Sequence, residues 1–218
     1  MEIVRLLASL QASPMPLSGR LGSGVWSIEA DADRDIVVEA GSEARLVVVD
    51  GKGSAEINID VESGAKLRIL NIVHHHSATT MAIAVAEGAE CRMTQVVCSS
   101  SDSRVVASLV GREARFELGG VFVLTDGDQT SVTADVNHMT SDCVSRIKVK
   151  GVASGKSHGR FSGLVYVAPD AQRTDSQQSS RNITIGEAHI ETLPQLEIYA
   201  DDVKCSHGAT VGQMDADA

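Results

Sequence analysis

Two residues near the end of the chain have types and spacing that suit metal chemistry. In "YADDVKCSHGATVG", residues 199–212, Cys205 and His207 stand two apart, after Asp201 and Asp202 and before Gly208 and Thr210. On an extended strand, residues i and i+2 share a face, which sets the two α-carbons about 7 Å apart. Thiolate and imidazole both suit iron or zinc, so one soft metal could be reached by both. Two ligands do not close a site, however, and no other residue has an obvious claim to complete it. A buried thiol beside a histidine hydrogen-bonded near a turn explains the same spacing equally well.

Other candidates are weaker. In "HHH", residues 74–76, strand geometry would send His75 to the face opposite His74 and His76, so at most two could converge. His138, His158 and His189 read as isolated residues. Cys91 falls on an inward register, and Cys98 and Cys143 lie in strand-like runs without partners at ligand spacing, so these three read as structural. Among the four cysteines there is no CxxC, which favours reduced thiols and a cytoplasmic compartment. No nucleophile elbow, phosphate-binding loop or zinc-protease helix signature is present, so a non-enzymatic protein is expected. A carbohydrate-active protein remains the remoter alternative.

The elements that must position Cys205 and His207 follow from a repeat. "GSEARL" at 41, "GAKLRI" at 64, "GAECRM" at 88 and "GREARF" at 111 begin 23, 24 and 23 residues apart. Between them lie alternating runs such as "AEINIDVE" and "KLRILNIV". A period in the low twenties, built from short strands and glycine turns with no helical stretch, is the signature of a β-solenoid. The fold expected is all-β, a right-handed parallel β-helix of about 22–24 residues per coil. Gly186 to Gly208 would be one such coil, and about eight coils would make a rod on the order of 40 Å long. The arginine in fifth place should stack into an exposed ladder. Residues 1–25 would form a short N-terminal helical and linker segment, with Ile3, Leu6, Leu7 and Leu10 on one face. Residues 26–212 would be the β-helix core, and residues 213–218 the start of a C-terminal helical segment.

Aromatics make up only 3% of the 218 residues, which suits a core of small branched side chains. The formal net charge of −10 opposes nucleic-acid binding, and no apolar run is long enough for a membrane span.

The stretch from Gly159 to Gly212 carries more than spacing. "GRFSG", "AQRT", "QSSRN" and "TLPQLEIYADDVKCSHGATVG" closely resemble the C-terminal core of the SufB/SufD family of iron–sulfur cluster assembly subunits, in its SufD version. The resemblance implies a β-helical scaffold that pairs, through the end of its rod, with a SufB-like paralogue or with itself. It implies a transient iron–sulfur cluster or iron at the dimer interface, with His207, and Cys205 beside it, matching the family's implicated residues. Asp201, Asp202, Gly208 and Thr210 then become interface candidates, and the missing ligands would come from the partner chain. No nucleotide would bind here, because the family's ATPase is the separate SufC subunit. Thr192-Leu193-Pro194 departs from the family's Thr-Lys-Pro and removes a charge. The sequence closes on "GQMDADA" where relatives continue into the helices that dock SufC, so weak or no SufC binding is expected. A structural dimerisation module without metal is the principal alternative.

Overall fold

The computed structural model describes residues 12–15, 18–125 and 127–214. Seventeen strands follow one another: β1 (Ser13–Pro14), β2 (Ser18–Leu21), β3 (Gly24–Ala30), β4 (Arg34–Val38), β5 (Glu43–Asp50), β6 (Gly53–Val61), β7 (Lys66–Val73), β8 (Ser77–Val85), β9 (Glu90–Val97), β10 (Ser101–Leu109), β11 (Arg115–Leu124), β12 (Gln129–His138), β13 (Val144–Gly155), β14 (His158–Val167), β15 (Thr174–Gly186), β16 (His189–Ile198) and β17 (Val203–Met214). Odd-numbered strands form one nine-stranded sheet and even-numbered strands an eight-stranded one, each in sequence order. All pairings are parallel. The chain therefore winds as a two-sheet β-solenoid. At about 4.8 Å per strand, nine strands span roughly 38 Å.

Local sequence explains the strands. β6, β8 and β10 alternate buried and outward positions along their lengths, the mark of a strand with one face in a core. Ile57, Ile59 and Val61 stack under Met81, Ile83 and Val85, then under Val105, Ala107 and Leu109. The three phenylalanines of the chain, Phe116, Phe122 and Phe161, are all buried in the later coils.

The coil length is not constant. Register steps are 23 residues from Glu43 to Lys66 and 24 from Lys66 to Glu90, as the repeat predicts. They then lengthen to 25 from Glu90 to Arg115, 29 from Arg115 to Val144 and 31 from Val144 to Asp175. Gly186 and Gly208 do not delimit a coil: Gly186 pairs with Gly155, and Gly208 with Ser179.

The fourth repeat segment is two residues out of step. Gly41, Gly64 and Gly88 occupy a left-handed turn, with φ between 63° and 68°, that glycine adopts without steric cost. Each donates its N–H to the next coil, to Ser63, Glu87 and Arg112 carbonyls at 3.1, 2.9 and 2.9 Å. In the next coil Glu113, not Gly111, takes that place (φ 63°), followed by Asp142 and Arg173. Arg115 consequently pairs with Glu90, and the stacked ladder runs Arg45, Arg68, Arg92, then Glu117 and Arg146. It is thus a ladder of mixed sign, and Arg92 meets Glu90 and Glu117. A second polar ladder ties the non-glycine turns together. Asp142 accepts from Arg112 at 2.7 Å and from Arg173 at 2.6 Å, and these guanidinium groups hold its carboxyl well below the usual range.

The solenoid begins earlier than residue 26, since β1 pairs with β3 and β2 with β4. The helix expected over residues 3–10 lies outside the described residues. At the other end Gln213 and Met214 continue β17 as strand instead of starting a helix, and residues 215–218 lie outside the described residues.

Candidate functional site at the open end of the rod

β17 is the last strand of its sheet and β16 the last of the other, so nothing among the described residues covers the end of the barrel they form. β17 lies in register on β15, and β15 alternates strictly between buried and outward positions. Paired residues in parallel strands point the same way, which fixes the direction of every β17 side chain. Cys205 stacks on Ser176, His207 on Gln178, Ala209 on Ser180 and Val211 on Asn182, and all four partners are buried. Cys205 and His207 therefore both point inward, toward the interior that the next coil would close. Cys205 is half-buried and packs on the core; His207 is exposed because no further coil among the described residues lies over it.

Burial pushes the Cys205 thiol up, Asp175 adds to this, and a hydrogen bond from the Ser176 backbone N–H opposes it. The thiol is thus protonated at neutral pH until a metal or cationic group replaces the proton. Among the described residues no third histidine, cysteine or carboxylate joins Cys205 and His207 in a metal-binding group. Chemically this is a two-ligand half site on an open surface.

The other candidates separate by face. Gly208 pairs with Ser179 and Thr210 with Arg181, so both point outward, away from Cys205 and His207. Asp201 and Asp202 form the turn before β17. Asp202 is held by its backbone, accepting from Arg173 N–H at 2.6 Å and donating to Gln172 Oε1 at 2.9 Å.

Beneath the half site lies a polar interior that hydrophobic patterning did not reveal. The inward positions of β15 are Thr174, Ser176, Gln178, Ser180, Asn182 and Thr184, all buried. His138 Nε2 lies 2.9 Å from Ser145 Oγ, which lies 2.7 Å from Ser176 Oγ, and Cys205 is next in that column. Gln178 Nε2 donates to the Gly163 carbonyl at 3.2 Å and Asn182 Nδ2 to Ser180 Oγ at 2.9 Å. Several acceptors here, among them Gln178 Oε1 and Asn182 Oδ1, have no protein partner. The period-2 signal was present in "TDSQQSSRN", but with polar residues on both faces it could not mark an interior.

The remaining cysteines and histidines divide cleanly. Cys91 is fully buried, and desolvation drives its thiol up to about 12. Cys143 is also buried, its Sγ 3.3 Å from the Gly111 carbonyl. Cys98 is exposed, because it follows β9 instead of lying within it. His158 and His189 are not isolated but stacked in register, ring centroids 6.2 Å apart, beside a groove of about 740 Å³ that His76, Asp102 and Arg160 also line. That groove is lined by neither Cys205 nor His207.

Comparison with known proteins agrees with this architecture. Residues 31–218 match the family described as SUF system FeS cluster assembly, SufBD core domain. The iron–sulfur cluster assembly protein SufD of Escherichia coli is 49% identical over 81 residues, 37% of this chain and 19% of that protein. An iron–sulfur cluster assembly SufBD family protein of Synechocystis is 53% identical over 58 residues, 26% of this chain and 13% of its own length. One from Mycobacterium leprae is 26% identical over 195 residues, covering 78% of this chain and 48% of the relative. The chain thus spans less than half the length of these relatives. With the family matched over most of its length, on a parallel two-sheet solenoid, the chain belongs to the SufBD core-domain family of the SUF iron–sulfur cluster assembly system.

Proposed function

We propose that the chain is a SufD-like, non-enzymatic scaffold subunit for iron–sulfur cluster assembly, working in the cytoplasm. Its open end would pair with a SufB-like chain, or with a second copy of itself, and a nascent cluster or iron would be held between them. The observation that carries this reading is the inward register of Cys205 and His207 on the last strand. It gives one thiol and one imidazole on an uncovered surface, with the remaining coordination positions open to a partner. The edge of β17, which no strand among the described residues pairs, supports pairing there, since a strand edge is a template for another chain. Val211, 45% exposed on the same inward face, gives that end an apolar contact. The SufC-like ATPase implied by family membership would act through the assembled complex, and no nucleotide would bind this chain.

The test is anaerobic reconstitution with ferrous iron and sulfide in the presence of a SufB-like partner, read by visible absorption and gel filtration together. Losing one ligand from His207→Ala or Cys205→Ala is expected to lower cluster yield roughly 10-fold while leaving the pair intact. Undiminished cluster in the double variant would overturn the ligand role and leave a metal-free pairing module. That second reading rests on the burial that keeps the Cys205 thiol protonated. A failure to pair at all would remove the scaffold reading itself.

A further inference from the structure

The histidine run at 74–76 does more than end a strand. β7 stops at Val73, so His74 and His75 lie in a turn, where strand alternation no longer separates neighbours. Their rings come together, centroids 3.8 Å apart at a tilt of 47°. Both aim Nδ1 at Asp50, the last residue of β5, which sits on the preceding coil. His74 Nδ1 is 2.7 Å from Asp50 Oδ1, and His75 Nδ1 is 3.5 Å from the same oxygen and 3.2 Å from the Asp50 carbonyl. One nitrogen from each ring and one carboxylate oxygen lie within 4.8 Å of one another, the only such group of three among the described residues.

The carboxylate is fixed before any ligand arrives. Its side chain is 1% exposed. Oδ1 accepts from the His74 backbone N–H at 3.0 Å, and Oδ2 from the His75 N–H at 2.8 Å and Ser77 Oγ at 2.9 Å. Ser99, on the following coil, donates to the His75 carbonyl at 2.7 Å and holds the turn from the other side. Such outer hydrogen bonds orient metal ligands and limit the ordering cost of binding. The two imidazoles, 32% and 38% exposed, leave the site reachable from solvent.

We propose that Asp50, His74 and His75 bind a divalent first-row transition cation, with water in the other positions. Two imidazole nitrogens and one carboxylate oxygen on one side of an ion suit iron, cobalt, nickel or zinc, and fit magnesium or calcium poorly. From β5 to β17 there are six strand steps, about 29 Å. The site is therefore separate from Cys205 and His207, and it stands whether or not the open-end reading holds.

Cobalt(II) titration of the intact chain tests it. About one equivalent is expected to bind with ligand-field bands and no thiolate-to-metal charge transfer, since no sulfur takes part. His75→Ala removes a ligand but keeps the backbone N–H that holds Asp50, and is expected to lower affinity about 100-fold. Cys205→Ser with His207→Ala should leave this binding unchanged. In the unmodified chain, zinc should shift the ring signals of two of the seven histidines, which keeps the test valid should a variant misfold. Absent binding, or wild-type affinity in a folded His75→Ala, would each overturn the proposal.

Discussion

Replacing Gly111 by alanine is expected to lower the free energy of unfolding by about 3 kcal/mol. Gly111 is not a turn glycine of the kind found at Gly41, Gly64 and Gly88; the left-handed place in its coil belongs to Glu113. Its backbone instead lies so close to the coil below that an added methyl group would overlap the Glu87 backbone nitrogen and the Ala86 carbonyl carbon. Those are main-chain atoms locked in the stack, where Gly111 N–H donates to the Val85 carbonyl at 3.2 Å. No rotamer change can relieve that overlap, so two coils must part. Gly88→Ala makes the control. Nothing lies within 4 Å of its added carbon, and only the left-handed φ of 63° is penalised, at roughly 1 kcal/mol. Urea unfolding followed by far-ultraviolet circular dichroism separates the two. Equal losses in both variants would mean that coil contact at Gly111 is looser than its geometry requires.

Acidification is expected to remove roughly 3 kcal/mol of stability through His138 alone. This imidazole is wholly buried at the end of β12, with Nδ1 lacking any hydrogen-bond partner. Desolvation pushes its pKa down from 6.5 to about 4, and Asp175 only partly opposes it. Because the folded value lies below the unfolded one, the unfolded chain binds the extra proton between these limits. The contribution is complete above pH 6.5 and is lost as pH falls toward 4. His138→Gln keeps a polar group near Ser145 but cannot titrate. The stability difference between wild type and variant should therefore slope with pH across that window and flatten on either side. Parallel curves would show that His138 finds a way to charge inside the fold. The consequence reaches the open end, because the chain from His138 through Ser145 and Ser176 leads to the Cys205 column.

The positions of Cys205 and His207 illustrate how far local pattern carries. Their common face follows from a period of two, which any strand obeys, and the in-register pairing with Ser176 and Gln178 gives that face its direction. The same rule misled at His74 and His75, since it holds only inside a strand and β7 had already ended. Asp50 stands 24 residues before His74, and nothing in its local sequence marks it as that histidine's partner. The glycine repeat placed three coils in register and slipped at the fourth, where the left-handed turn falls two residues later than the repeat places it, on Glu113.

By itself, the sequence determined the solenoid and the common face of Cys205 and His207 on its last strand. Both depend on alternation and turn chemistry, which act between near neighbours and are written in consecutive residues. Only the tertiary structure decided which side chains from different coils share a space. Stacking joins Asp50 to His74 and His75 and fills the interior above Ser145 with polar groups. Those arrangements depend on coil length, and a coil that grows from 23 to 31 residues can be registered only when its neighbours are in place.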